Sequence, residues 1–386
     1  KAGYVELRLN SAITRPTTEI ESKDFAVEVA LLSRNIVFKA GTDINPLHGG
    51  HFMIMHTPLI EQTVQGIDVQ GFGQQGTLGK YPIHFHFCGD VPGSVVAKNT
   101  IRQSFQRCVV VHGTNKLRIE ENVAFDTKGH CFLTEDGMEI DNKFIRNLGA
   151  QTGVPDVIIP EGLTNGKESD AEPATFWITN PTNSFVDNVA AGSESSGFWF
   201  EPYLRGDREY LFKDIIRPER DPLTLFKGNV VHSNMDRRGA IRMYEPGYLP
   251  DTIATLEGLK VYRNNVGIFI HKNYNFVVAN SLFADNTLGI DIDRAEGVTV
   301  RDTVVIGQSD SYSALMRRQP AVGPICGQRN GINYRTGLDL HTWTIFKGYG
   351  GSTMKNVQFR GFEDTGCTSV KTIRMDKHVS TTLLNW

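Results

Sequence analysis

An all-β chain wound into a parallel β-helix is what this sequence predicts, on three observations. Gly accounts for 38 of 386 residues, and with 16 Pro and frequent Asn this favours turns and short strands over long helices. A pattern of 22 to 24 residues recurs along the chain, the length of one coil of a β solenoid. Within each copy a short run alternates apolar residues with a mixed polar set, the two-residue rhythm of a strand with one face inward. A leucine-rich repeat has a similar period but needs a Leu/Asn consensus that is absent here. At roughly 150 residues per domain the length allows two or three domains, and equally one large all-β domain.

The copies follow in order. NTIRQSFQRCVVVHG (99–113) and NVAFDTKGHCFLTEDG (122–137) each open on Asn, reach Cys about nine residues on, then give a short strand and a turn. Cys108 and Cys131 lie 23 residues apart, so their coils should stack and bring the two within disulfide distance. The pattern returns from Asn188, where Gly197 replaces the Cys, and again from Asn229, Asn264 and Asn286. Gly267 and Gly289 are 22 apart, and a half-copy starts at Thr175, 22 before Gly197. One parity reads Phe85, Phe87, Val109, Val111, Phe132, Thr134, Phe176, Ile178, Phe198, Phe200, Ile268, Ile270, Ile290 and Ile292, and is assigned to the interior. The other parity faces outward. With strands roughly 4.8 Å apart, it forms one column of Cys88, His112, Glu135, Thr179 and Glu201, and a second of His86, Val110, Leu133, Trp177 and Trp199. Two irregular insertions, about 150–174 and 202–227, emerge beside this mixed face. Loops of that length in a compact domain are functional or disordered.

Net charge is −3 and the pI about 6.4, without the basic excess of a nucleic-acid binder. A local basic patch could still hold a polyanion. No apolar run reaches the roughly 18 residues of a transmembrane helix. The chain opens at Lys1 without a signal peptide and reads as a mature protein or an excised fragment. The 5 cysteines leave at least one thiol unpaired, and none has metal-pair spacing. No N-glycosylation sequon occurs.

The outward column carries the chemistry. Glu135 and Glu201 are either solvated surface acids or a carboxyl pair able to serve as acid and base or nucleophile, the arrangement that hydrolysis of a glycosidic bond uses. Two coils separate them, roughly 9.6 Å at Cα, with His112 and Asp136 placed to tune them. His84 and His86, at alternate positions, point the same way and with His112 could bind a divalent metal or move protons. His130 has the inward parity of a structural residue, and HGGHFMIMH (48–56) reads as a strand, not the helix of a zinc-protease motif. Trp177 and Trp199 are expected to stack on sugar rings or to be covered as a second small core. Arg205 and Arg208 could read uronate carboxylates, and Asp291 and Asp293 could hold calcium or cap a coil.

YPIHFHFCGD (81–90) and GHCFLTEDG (129–137) resemble the extracellular part of the family of the cell migration-inducing hyaluronan-binding protein and transmembrane protein 2. EVALLSRNIVF (28–38), GGHFMIMHTP (49–58), GFGQQGTLGKYPIHFH (71–86), NVAAGSESSGFWF (188–200), NVVHSN (229–234), SLFADNTLGI (281–290) and NVQFRGF (356–362) extend the resemblance over about 28–362. It implies a right-handed, pectate-lyase-like parallel β-helix, a secreted or cell-surface location, and calcium-dependent endo-hydrolysis of hyaluronan. It also implies one β-helix domain over 1–386, with 1–27 as the edge of a preceding glycine-rich domain. The expected partner is an acidic polysaccharide, not nucleic acid. The rivals are a uronate lyase and a non-catalytic glycan-binding module.

Overall fold

The computed structural model describes residues 28–41, 45–56, 60–160, 163–164, 167–205, 215–234, 236, 238–244, 247–310, 312–313, 326–329, 332–341, 351–363, 367–375 and 381–384. Within them the chain is a parallel β-helix. A typical coil supplies three strands, such as Ile83–Asp90, Val95–Ala97 and Thr100–Ser104, and the next coil supplies Val109–Asn115, Arg118–Glu120 and Val123–Lys128. Pairing between these coils is parallel on all three sides. The first strands stack into one sheet from Phe52–Met55 through Phe132–Thr134, Ala174–Ile178, Ser196–Phe200, Val266–His271 and Leu288–Asp293 to Ile332–His341.

Apolar side chains of the inward parity fill the coil. Phe132, Phe176 and Phe198 stack with centroids 5.0 and 4.5 Å apart, and Phe144 stacks on Phe185 at 4.7 Å. Each such pair adds about 0.5–1.5 kcal/mol beyond its buried area. The predicted interior residues are buried, with one exception. Phe87 is 40% exposed and has a φ of 50°, because the register shifts between His86 and Gly89. Beyond that kink the parity reverses, so Cys88 turns into the core.

The kink also corrects the predicted columns by two residues. His86, not Cys88, pairs with His112, and His84, not His86, stands beside Val110. The second column then runs His84, Val110, Leu133, Trp177, Trp199 and Arg242.

Asparagines seal the corners. Asn99, Asn122, Asn147, Asn188 and Asn229 form one ladder: the side-chain carbonyl of each of the last four accepts the backbone N–H of the Asn one coil before, and that of Asn99 accepts from Ile67. The residue before each rung is left-handed: Lys98, Glu121, Arg146, Asp187 and, where no Cβ opposes it, Gly228. Asn264 and Asn286 belong to a different corner, in a ladder with Asn234. The sequence pattern had merged the two.

Both insertions are narrower than predicted. Leu148–Gly153 and Leu225–Lys227 are coil strands, which leaves 154–173 and 201–224 between coils. Cys108 and Cys131 are stacked neighbours, as the register predicted, and are bonded, with Cα atoms 4.5 Å apart. Cys326 pairs with Cys367, and Cys88 is the free, buried thiol.

Candidate functional site

The mixed face of the first sheet gathers the histidines and carboxylates. His84 and His86 project from one side of Ile83–Asp90, and the register sets His86 beside His112. Thr134 pairs with Val111, so Glu135 follows next to His112. His112 Nδ1 lies 3.1 Å from His86 Nδ1 and 3.3 Å from Glu135 Oε2, while its Nε2 lies 2.8 Å from Asp136 Oδ2. His84 Nε2 is 3.8 Å from the same Glu135 oxygen. The other oxygen, Oε1, accepts from Tyr81 Oη and Arg107 Nη1, each at 3.2 Å, and Arg107 also donates to Tyr81 Oη at 2.9 Å. Glu139 fixes the turn below by accepting the backbone N–H groups of Gly113, Asp136 and Gly137.

These contacts set the protonation states. Burial opposes charge on His112, but its bond to Asp136 and the nearby Glu135 carboxylate outweigh burial and raise it to about 9. Burial also opposes charge on Glu135, yet the cations of His112 and Arg107 hold its carboxyl below the usual range. His84 is pushed down to about 4, mainly by burial. A neutral imidazole, a protonated imidazole and an ionised carboxylate thus share one cluster at neutral pH, the asymmetry that acid–base chemistry needs. Its rim is open: His112 and Asp136 side chains are 15% and 16% accessible.

Beside this cluster the indoles follow the second of the two alternatives, a covered small core, and the expectation for Glu201 is corrected. Trp177 and Trp199 are buried in a second core with Tyr81, Val110, Leu133, Ile159 and Ala174. Trp177 is sandwiched between the ring of His130, 4.4 Å away, and the Arg205 guanidinium at 4.3 Å; Arg242 covers Trp199 at 3.7 Å. Two indoles carry too much apolar area to leave wet when an insertion and two arginines lie within reach. Neither ring offers a face to a sugar. Glu201 is fully buried beneath the same cover instead of facing solvent: its Oε2 accepts from Trp177 Nε1 at 2.8 Å and lies 3.7 Å from Arg205 Nη1. Thr179 stands between it and Glu135 in the column. Glu201 and Arg205 therefore clamp the indole.

Arg208 lies outside the described residues. His130 is buried and structural as expected, but its ring stacks on Trp177 in the second core instead of pointing into the coil, and its Nδ1 accepts the Ala174 N–H. Asp293 binds His271 at 2.7 Å and Arg294 at 3.1 Å. Among the described residues, His84, His86 and His112 are the one group of three or more His, Cys, Asp or Glu whose ligand atoms could meet one metal ion, all within 4.8 Å. Asp291 and Asp293 are not in it. Calcium, which the resemblance implies, takes oxygen ligands, and three imidazoles do not fit it. Arg107, Tyr81 and Glu139 were not predicted. Arg107 and Tyr81 lie just before the strands Val109–Asn115 and Ile83–Asp90, where alternation gives no direction, and Glu139 lies outside any strand.

Residues 47–238 match the family model described as the CEMIP beta-helix. The chain is 30% identical over 367 residues to the human cell surface hyaluronidase CEMIP2, covering 76% of this chain and 26% of that protein. It is 34% identical over 253 residues to a zebrafish cell surface hyaluronidase, covering 56% and 18%, and 33% identical over 225 residues to communication mutant protein F of Dictyostelium discoideum, covering 55% and 20%. It thus spans about a quarter of the human relative's length. Among solved structures, the A-module of the Azotobacter vinelandii mannuronan C-5 epimerase AlgE4 superposes with a TM-score of 0.46 at 10% identity, covering 90% of this chain and 88% of that one. Among the described residues no helix is long and apolar enough to cross a membrane. With the His-x-His strand, the GHCFLTEDG turn and the stacked coils all in place, the chain belongs, through residues 47–238, to the CEMIP β-helix family.

Proposed function

We propose that this chain cleaves an acidic polysaccharide outside the cell, with hyaluronan as its substrate and hydrolysis as its reaction, as one β-helix domain. The observation that carries the reading is the contact chain Asp136–His112–Glu135 on the open face of the first sheet. Glu135, kept ionised by His112 and Arg107, is the base or nucleophile. His112, protonated at neutral pH and oriented by Asp136, is the acid that delivers a proton to the leaving oxygen. Tyr81 and Arg107 hold Glu135 from behind. Glu201 and the two indoles support the wall of the site without touching substrate. The names of the human and zebrafish relatives favour hyaluronan over other uronates.

The test is product analysis of hyaluronan incubated with the purified chain. Hydrolysis gives new reducing ends and no ultraviolet-absorbing unsaturated uronide. Appearance of that uronide would replace hydrolysis by β-elimination. Binding without any product would leave a glycan-binding module.

A further inference from the structure

We infer that His84, His86 and His112, with Glu135, form a binding site for a divalent transition-metal ion of the zinc class. Four donor atoms converge. His84 Nδ1 faces the Gly79 carbonyl at 3.1 Å, and a carbonyl can only accept, so that nitrogen carries the hydrogen and Nε2 keeps its lone pair. That Nε2 is fully buried, has no hydrogen-bond partner and points at Glu135 Oε2, which is itself buried without a hydrogen bond. His112 Nε2 is engaged by the Asp136 carboxylate, which turns Nδ1 toward the cluster. His86 Nδ1 meets that Nδ1 at 3.1 Å.

The spacing and the outer contacts both suit an ion. Ligands about 2.0–2.1 Å from a tetrahedral zinc stand roughly 3.3 Å from one another. The observed separations are 3.1, 3.3 and 3.8 Å, and the three imidazole donors all lie within 4.8 Å. A histidine that binds metal usually gives its second ring nitrogen to a carbonyl or carboxylate, which fixes ring and tautomer. Gly79 does this for His84 and Asp136 for His112. Three nitrogens and one carboxylate select zinc, cobalt or nickel over calcium or magnesium. The strands supply the reason: alternation puts His84 and His86 on one side, and the parallel register slides His112 beside them.

This inference does not rest on the hydrolase reading: an ion held at His112 Nδ1 takes the lone pair that a proton occupies in that reading, so with metal bound His112 and Glu135 are ligands and not the acid and base, and the test needs no substrate. The purified chain is stripped with a chelator and titrated with Zn²⁺ by calorimetry and with Co²⁺ by visible absorption. One ion per chain is expected, with the intense bands of four-coordinate cobalt. His86→Gln and His112→Gln should each weaken Zn²⁺ binding at least 100-fold, and Asp136→Asn about 10- to 100-fold, the range for an outer partner. His232→Gln, on another sheet, should leave it unchanged, and circular dichroism confirms that each variant is folded. No uptake of either ion by the wild type, equal affinity in folded His86→Gln, or calcium binding lost in place of zinc would each overturn the inference.

Discussion

At His112 three neighbours compete for two ring nitrogens: Asp136 on one, His86 and Glu135 on the other. Removing the charge beneath it is the sharpest test of the proposed chemistry. Glu135→Gln keeps the volume and leaves an oxygen for Tyr81 and Arg107 to bind. It should lower turnover of hyaluronan at least about 100-fold with an unchanged circular dichroism spectrum. Glu201→Gln should separate the two carboxylates. It loosens the Arg205–Trp177 clamp, so a stability loss of about 1–3 kcal/mol in urea is expected while turnover stays within a few-fold. Equal losses of turnover in both variants would return Glu201 to the mechanism. His130 supplies a pH signature instead. Burial, aided by the Arg107, Arg205 and Arg242 charges and opposed by Asp170, lowers it to about 3. The neutral ring is therefore the folded form, and its contribution is complete above about pH 6.5 and lost as pH falls toward 3. The full span is on the order of 5 kcal/mol. Urea midpoints at pH 7 and 4.5 should fall further for the wild type than for His130→Asn; an identical fall would clear His130 of the effect. Much of this cluster was legible because alternation alone puts His84, His86, His112 and Glu135 on one side of their strands. The choice between exposed and covered indoles at Trp177 and Trp199, and the burial of Glu201, were not, because their cover comes largely from aperiodic segments whose path no repeat dictates.

Strands here are short, often three residues, and cannot hold register through their own ladders alone. The asparagine corners do part of that work. Asn147 Nδ2 donates to Ile119 O at 2.9 Å and to Asn188 Oδ1 at 3.0 Å, while its Oδ1 accepts from both nitrogens of Asn122. Asn147→Ala strands several buried polar groups at once, and orphaned groups cost about 1–3 kcal/mol each. A loss of at least about 3 kcal/mol in denaturant unfolding is expected; less than 1 would mean water replaces the rung. The rhythm of Asn was visible in the sequence, but its division between two corners was not. Asn99 precedes Val109 by ten residues and Asn264 precedes Ile268 by four, a difference that becomes meaningful only once each coil is known to have three sides. The kink at Phe87 was equally hidden, since a left-handed phenylalanine breaks an alternation that otherwise reads as unbroken strand.

Along the whole solenoid each coil touches only its neighbours, so stability adds up locally and local damage should stay local. The Cys326–Cys367 bond closes a 41-residue separation across the last coils, worth at most about 4 kcal/mol in loop entropy. Replacing both cysteines by serine should speed hydrogen exchange in Ile332–His341 and Ser352–Arg360 and leave Val109–Asn115 and Phe132–Thr134 unchanged. Uniform acceleration would show the coils unfolding as one unit.

The two-residue corner has a consequence for how such a chain diverges. Lys98–Asn99, Glu121–Asn122, Arg146–Asn147 and Asp187–Asn188 admit no extra residue without dropping a rung of the ladder. Inserted sequence is thereby confined to the other two corners, and both border the sheet that carries His86, His112 and Glu135. Heritable variation in loop length is channelled onto the borders of that sheet, as where the coils break after Gly153 and after Phe200. A lineage built on this frame can trade one recognition loop for another while its stacking code is inherited intact.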